Sequence, residues 1–173
     1  MRIQNTYLWL VAAALVSVVV GSYFLVWRKD PKVAEPLLRV CEGQMLNGSV
    51  SLRSSDGTTF VAQLPEAVVE SLRRLLITYQ AGQDPRGIEA SAPLAMLTLA
   101  SDAGTYTLEW HYGHIVDRNV SPPTIWWSEE VSQASTYLGD AVTEHDADQE
   151  LVESIALKWN EIVKRNAKNK IAK

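Results

Sequence analysis

The chain has 173 residues, with 16 Lys and Arg against 20 Asp and Glu, and a formal net charge of −4 at pH 7. This length accommodates one domain of ordinary size and a further segment. The acidic balance argues against nucleic-acid binding, because such a surface repels phosphate. A single cysteine, Cys41, excludes an internal disulfide, so no oxidising compartment is required.

An uncharged apolar run extends from Thr6 to Trp27. At a rise of about 1.5 Å per residue, a helix of this length crosses a hydrocarbon core of roughly 30 Å. A cleaved signal peptide has an apolar region of only about 7–15 residues. Aromatic rings stand near both ends of the run, as at the two interfaces of a bilayer: Tyr7, Trp9, Tyr23, Phe24 and Trp27. The sequence therefore predicts a short tail over 1–5 and an uncleaved transmembrane helix over 6–27.

The segment after this run, VWRKDPK, is basic. Lys and Arg near a membrane span collect on its cytoplasmic side. Only Arg2 precedes the run, whereas four basic residues come after it within a short distance: Arg28, Lys29, Lys32 and Arg39. This count favours a cytoplasmic domain, although many proteins with one amino-terminal anchor export the domain attached to it. Residues 28–36, with two prolines, are predicted to be a stiff spacer before a soluble domain over 37–173.

Two hairpins are predicted in that domain. The segments SVSLRSS and TTFVAQL flank Asp56-Gly57, which favours a two-residue type I′ turn. The segments PLAMLTLAS and TYTLEWHY surround Asp102-Ala103-Gly104. In TYTLEWHY, alternation places four side chains on one face of the strand: Tyr106, Leu108, Trp110 and Tyr112.

Three helices are also predicted. The first follows Pro65 and stops near Gly82, with one apolar stripe: Val68, Leu72, Leu75, Leu76 and Tyr79. A short helix is expected near 128–138, and a long amphipathic helix over about 146–170 with Asp146 and Gln149 as a capping box. The expected fold is α+β in the order ββαββαα, with one antiparallel sheet covered by helices. Residues 33–50 show no clear pattern.

The stretch EWHYGHIVD carries the residue types that bind metal ions or transfer protons: Glu109, His111, His114 and Asp117. Residues i and i+3 of a strand point to opposite faces, so His111 and His114 converge only if Gly113 bends the chain. Because such residues also occur on ordinary polar sheet faces, we favour the structural interpretation. A metal-dependent enzyme, or a metal or small-ligand sensor using His111, His114 and Asp117, is the alternative.

The stretch SPPTIWWSEE is the better candidate for binding. Adjacent side chains of an extended segment point in opposite directions, so one of Trp126 and Trp127 is expected in the core and the other at the surface. Exposed aromatic rings are favoured at partner interfaces, because they bury a large area with little loss of rotamer entropy. The sequence therefore predicts a partner-binding surface at Trp126 and Trp127, unless both rings belong to the core.

The carboxyl-terminal part divides by charge: residues 129–153 hold eight acids without Lys or Arg, and residues 154–173 hold six Lys or Arg and one acid. Acids near a helix start and bases near its end complement the helix dipole, which explains the pattern sufficiently. The functional alternative is contact with anionic lipid or an acidic partner. Such contact would involve four side chains: Lys164, Arg165, Lys168 and Lys170.

No nucleotide-binding loop, zinc-protease helix, nucleophile elbow or dinucleotide fingerprint occurs in the sequence. We therefore expect a single-pass membrane protein with a non-enzymatic interaction, assembly or accessory domain beside a larger membrane complex, and no cofactor. The expected partner is another membrane or membrane-associated protein. Self-association through the transmembrane helix is a further expectation, because residues small enough for close helix packing occur along it: Ala12, Ala13, Ala14, Ser17, Gly21 and Ser22.

Overall fold

The structure is a computed structural model that describes residues 33–78, 92–121 and 123–171. All of them belong to one compact unit that begins at Val33. The predicted tail, transmembrane helix and most of the spacer lie outside the described residues, as do Tyr79 and Gly82 of the first predicted helix. Within the described ranges, no helix is both long enough and apolar enough to cross a membrane.

The described unit is an α+β domain with a six-stranded antiparallel sheet and four helices, which confirms the predicted class. The strands lie in the order β2-β1-β3-β4-β5-β6. In chain order the elements are α1 (Glu35–Glu42), β1 (Asn47–Arg53), β2 (Thr59–Gln63), α2 (Glu66–Thr78), β3 (Ala95–Ser101), β4 (Gly104–His111), β5 (His114–Asp117), β6 (Thr124–Trp127), α3 (Glu129–Glu144) and α4 (Gln149–Ile171).

Three of these elements are additional to the predicted order ββαββαα. Helix α1 has only two turns, with Leu37, Val40 and Cys41 buried, and it includes two residues predicted to be spacer. Strands β5 and β6 have four residues each. Elements this short contain too few residues for an alternating or helical pattern to be distinguished from a loop.

The β1–β2 connection is longer than predicted. The backbone N–H of Ser54 donates to the carbonyl oxygen of Thr58 at 2.8 Å, so three residues lie between this pair. A type I′ turn needs positive φ at both central residues, whereas only Gly57 has it, at 91°. The Asp56 carboxylate instead accepts a hydrogen bond from Thr58 N at 2.8 Å, and the prediction of a two-residue turn is wrong.

The predicted capping box at the last helix is also wrong. Asp148, not Asp146, precedes the first helical residue, and its Oδ1 accepts a hydrogen bond from Leu151 N at 2.7 Å. This is the geometry of an N-cap that satisfies a free N–H of the first turn. Asp146 binds the β1–β2 turn instead, through Ser54 and Ser55.

The core lies between one face of the sheet and the helices. Alternate strand residues form rows across the sheet, such as Val50 opposite Leu97 and Leu97 opposite Leu108. All four helices contribute side chains to this apolar cluster. Trp110 of β4 packs against Trp159 of α4 with ring centroids 4.4 Å apart. Tyr112, expected on the same face as Trp110, lies in the β4–β5 turn and is 59% exposed.

Candidate functional site

Strand β6 directs its two tryptophans to opposite sides of the sheet. Trp126 lies opposite Ile115 in the β5–β6 register and is fully buried in the core. Trp127 is 47% exposed. The alternation of a strand accounts for this difference, and it leaves a large indole surface in water next to the start of α3.

Trp127 forms part of a groove of about 590 Å³, called here the Trp127 groove. Helix α2, the junction between β6 and α3, and the carboxyl-terminal half of α4 supply its lining. The apolar part of the lining consists of Ala67, Leu75, Trp127, Val163 and Ala167. Ligand sites of proteins commonly have volumes of roughly 300–1,000 Å³ and mostly apolar walls.

A helix cap and a hydrogen bond between two helices position residues that line the groove. Ser128 caps α3, because its Oγ accepts a hydrogen bond from Val131 N at 3.1 Å. The helix therefore starts two residues after Trp127, which fixes the backbone that carries the indole. Arg165 of α4 donates from Nη2 to Oε1 of Gln133 of α3 at 2.7 Å and ties these two helices together.

Three carboxylates and one guanidinium also line the groove: Glu70, Glu129, Glu130 and Arg74. The Glu70 carboxylate accepts hydrogen bonds from Arg74 Nε at 2.9 Å and Arg73 Nη1 at 3.4 Å. The bond from Arg74 is the main cause that lowers the pKa of Glu70. Glu129 accepts a hydrogen bond from the neutral amide of Gln133 at 3.0 Å.

The two histidines of EWHYGHIVD are brought together by the turn between β4 and β5. Gly113 has a φ of 75°, and His111 lies directly opposite His114 in the register. His111 is buried, with Nε2 2.7 Å from Oε2 of Glu109, and the same oxygen accepts a hydrogen bond from Arg118 Nε at 2.6 Å. Burial opposes ionisation of Glu109, but the hydrogen bonds from Arg118 and His111 outweigh it and lower the pKa of its carboxyl.

Asp117, the third residue of the predicted metal site, has different partners. Its fully buried carboxylate accepts hydrogen bonds from the hydroxyl of Tyr106 at 2.7 Å and from Asn119 N at 2.9 Å. Burial and the hydrogen bond to Asp117 raise the pKa of Tyr106 to about 12. Across the described ranges, no group of three His, Cys, Asp or Glu side chains is placed to hold a metal ion. A metal role for His111, His114 and Asp117 stays a prediction.

The single cysteine is placed in the core. Cys41 is fully buried, and this burial raises the pKa of its thiol to about 11. The reactive form of cysteine is the thiolate, which is therefore scarce at neutral pH. Its placement suits a small apolar core residue better than a nucleophile.

The basic end of α4 is at the surface. Lys164, Arg165 and Lys168 are exposed, and Arg165 makes the hydrogen bond to Gln133 already described. The side chain of Lys170 lies outside the described residues. Contact of these residues with anionic lipid or an acidic partner stays a prediction.

Sequence reasoning identified the tryptophan pair but missed the rest of the groove. Ala67 and Leu75 of α2 are far in sequence from Val163 and Ala167 of α4, and no local pattern relates them. The acids after Trp127 have a sufficient explanation in the helix dipole. The one sign of the groove in the sequence is that these acids come shortly after the tryptophan pair.

No family model matches the chain, and neither the curated proteins nor the solved structures include one that is detectably similar to it.

Proposed function

We propose that this protein is a membrane-anchored, non-enzymatic binding protein that acts as an assembly or accessory factor beside a larger membrane complex. Its α+β domain docks a partner protein at the Trp127 groove. The observation that carries this proposal is Trp127, which is half-exposed and is one of the residues that line a groove formed by three separate parts of the fold.

The exposed area of Trp127 gives a physical reason for binding. A tryptophan side chain offers up to roughly 250 Å² for burial, and about half of this remains in water here. At about 25 cal/mol per Å², its burial by a partner contributes about 3 kcal/mol before the costs of association. Tryptophan is also among the residues that most often dominate interface energies.

The membrane part of the proposal rests on the sequence of residues 1–32. The uncharged run from Thr6 to Trp27, with aromatic residues near both ends, supports an anchor. The basic residues after it support a domain on the cytoplasmic side. A domain tethered in this way is concentrated near other membrane proteins, which favours a membrane or membrane-associated partner.

The placement of the chemically active side chains supports binding over catalysis. His111 pairs with Glu109, and Asp117 pairs with Tyr106. Cys41 is buried with a raised pKa. In the part of the chain that the structure describes, each of these groups has a structural explanation, and none of them lines the Trp127 groove.

The test is co-purification of the full chain from its own membranes in a mild detergent. Three forms are compared: the unchanged chain, Trp127→Ser and Leu157→Ser. Leu157 is 62% exposed on α4 and does not line the groove, so its variant is a matched control for the loss of an exposed apolar side chain. We expect a stoichiometric protein partner with the unchanged chain and with Leu157→Ser, but not with Trp127→Ser. Absence of any such partner, or its retention by Trp127→Ser, contradicts the proposal.

A further inference from the structure

Four buried polar atoms of side chains have no hydrogen-bond partner within the described parts of the chain. They are Nε1 of Trp126, Nε1 of Trp159, Oδ1 of Asn160 and Nδ2 of Asn166. Three of these residues lie on α4 and the fourth lies on β6. A buried polar group without a partner lowers stability, because it has given up its hydrogen bonds to water. Such groups are rare in folded domains, so their concentration on two elements calls for a physical reason.

Both elements also form the Trp127 groove. Trp126 directly precedes Trp127, and Asn166 directly precedes Ala167. Trp159 lies about one helical turn before Val163, which also lines the groove. The unpaired groups are therefore close in the chain to groove residues, on two of the three parts of the fold that form the groove.

The two halves of α4 are held differently. Gln149, at the start of the helix, donates from Nε2 to the carbonyl oxygen of Val61 in β2 at 3.1 Å. Buried apolar side chains continue along the helix as far as Ile162, and the described side chains after it are half-buried or exposed. Arg165 joins this later part to Gln133 of α3 by a hydrogen bond at the surface. The carboxyl-terminal half is therefore the part of α4 that shifts at the lower cost.

We propose that the carboxyl-terminal half of α4, residues 159–171, has a second position that a docked partner stabilises. This inference rests on the proposed function, since the partner is the one that occupies the Trp127 groove. In the second position the indole N–H of Trp159 and the amide of Asn166 are hydrogen-bonded. Val163 and Ala167 move with them and change the width of the groove. Partner binding and the position of α4 are then coupled, because the partner binds the second arrangement more tightly.

Buried water is the structural alternative, because a water molecule can pair these groups while α4 keeps its described position. The two explanations predict different effects of apolar substitutions. Replacing an unpaired buried polar group by an apolar one of similar shape is neutral or stabilising, whereas replacing a paired group destabilises the fold.

The first measurement compares melting temperatures of the full chain and its variants in a nonionic detergent. Trp110 and Trp159 are both buried and pack against each other, but the N–H of Trp110 is bonded to Ser135. Both Trp→Phe changes remove the same ring volume, so Trp110→Phe should lower the melting temperature by about 3 °C more than Trp159→Phe. Asn166→Leu should melt higher than Asn169→Leu, which changes an exposed position of the same helix. Equal losses for the two tryptophans, or a lower melting temperature for Asn166→Leu than for Asn169→Leu, overturn the inference.

The second measurement asks whether the partner requires the second position. The unchanged chain, Asn166→Leu and Asn169→Leu are compared in the co-purification experiment described above. Asn166 is not among the described residues that line the groove, and Asn166→Leu favours the described position of α4. It should therefore retain at least about fivefold less partner although its fold is more stable, while Asn169→Leu retains the full amount. A purely structural role of Asn166 predicts no such loss, and full retention by Asn166→Leu overturns the inference.

The two proposals fail in different ways. If a partner depends on Trp127 but is retained in full by Asn166→Leu, only the second position of α4 is lost. If no partner depends on Trp127, the proposed function is lost, and a partner-stabilised position of α4 is lost with it.

Discussion

The carboxylate of Asp146, between α3 and α4, accepts two hydrogen bonds from Ser55 of the β1–β2 turn. Its Oδ2 accepts a hydrogen bond from the Ser55 hydroxyl at 2.6 Å, and its Oδ1 accepts one from the Ser55 backbone N–H at 3.0 Å. Ser54 donates a further bond to Oδ2 at 2.9 Å. Ser55 and Asp146 are 91 positions apart in the chain, so the carboxylate connects two loops that are distant in sequence.

This connection predicts a specific dependence of stability on pH. The bonds from Ser55 and Ser54 hold the pKa of Asp146 at about 2, below its ordinary 3.8. Because the folded-state pKa is the lower one, the stabilisation is present above about pH 4 and is lost as the pH falls towards 2. We expect Asp146→Asn to melt below the unchanged chain at pH 5–7, and the difference to shrink between about pH 4 and 2.

Thermal unfolding followed by circular dichroism across this pH range checks the prediction. Asp140→Asn removes the same charge from an exposed position of α3 and is the matched control. A melting difference for Asp146→Asn that does not change with pH contradicts the assigned role of the carboxylate.

A second prediction concerns Ser135, whose hydroxyl lies in the core between α3 and β4. Its Oγ accepts a hydrogen bond from the indole N–H of Trp110 at 2.7 Å, and both residues are fully buried. Ser135→Ala leaves this N–H without its acceptor, which should lower the free energy of unfolding by about 1–3 kcal/mol. Urea unfolding measures this change. Thr136→Ala, at an exposed neighbouring position, should cost much less, and equal losses in the two variants contradict the assignment.

A third prediction addresses the metal alternative. His111 and His114 face each other, but the Asp117 carboxylate is bonded to Tyr106 and Asn119. We therefore expect purified full chain to carry no stoichiometric transition metal, measured by plasma mass spectrometry after exposure to zinc. Stoichiometric zinc that disappears in the double variant His111→Ala, His114→Ala would instead favour the enzyme or sensor alternative.

The fourth prediction concerns membrane orientation. If residues 6–27 span the membrane with the basic flank inside, a fluorescent protein fused after Lys173 in a bacterial host should be bright. Alkaline phosphatase fused at the same site should be inactive, because it works only after export. Active phosphatase with a dark fluorescent fusion places the domain outside and contradicts the proposed cytoplasmic side.

The longer strands and helices of the described domain were predictable, because each carries several periods of its pattern. Leu108 and Trp110 alternate with Thr107 and Glu109 in β4, and such repetition identifies a strand. Strands β5 and β6 are too short for that, and α1 has only two turns. The cap of α4 was predicted at Asp146, whereas Asp148 caps the helix. Asp146 is bonded to the β1–β2 turn, a contact between residues distant in sequence that no local pattern reveals.

Of the residues that line the Trp127 groove, only Trp127 was predictable from the sequence. Alternation indicates that one of two adjacent tryptophans reaches the surface. Which of the two is exposed depends on which face of β6 meets the core. In the structure Trp126, opposite Ile115 of β5, is buried in the core, so Trp127 is the exposed tryptophan. Val163 and Ala167 were unrecognisable as groove residues, because their neighbours on α2 are close only after folding.

Site-specific photocrosslinking at residue 127 tests whether the Trp127 groove docks a partner protein. Benzoylphenylalanine replaces Trp127 in the full chain within its own membranes, and the same substitution at Leu157 is the control. If the Trp127 groove is the docking site, illumination should join residue 127 to one protein, and the control should give no such adduct. Adducts to lipid alone, or the same adduct from both positions, would contradict a partner-binding role for the groove.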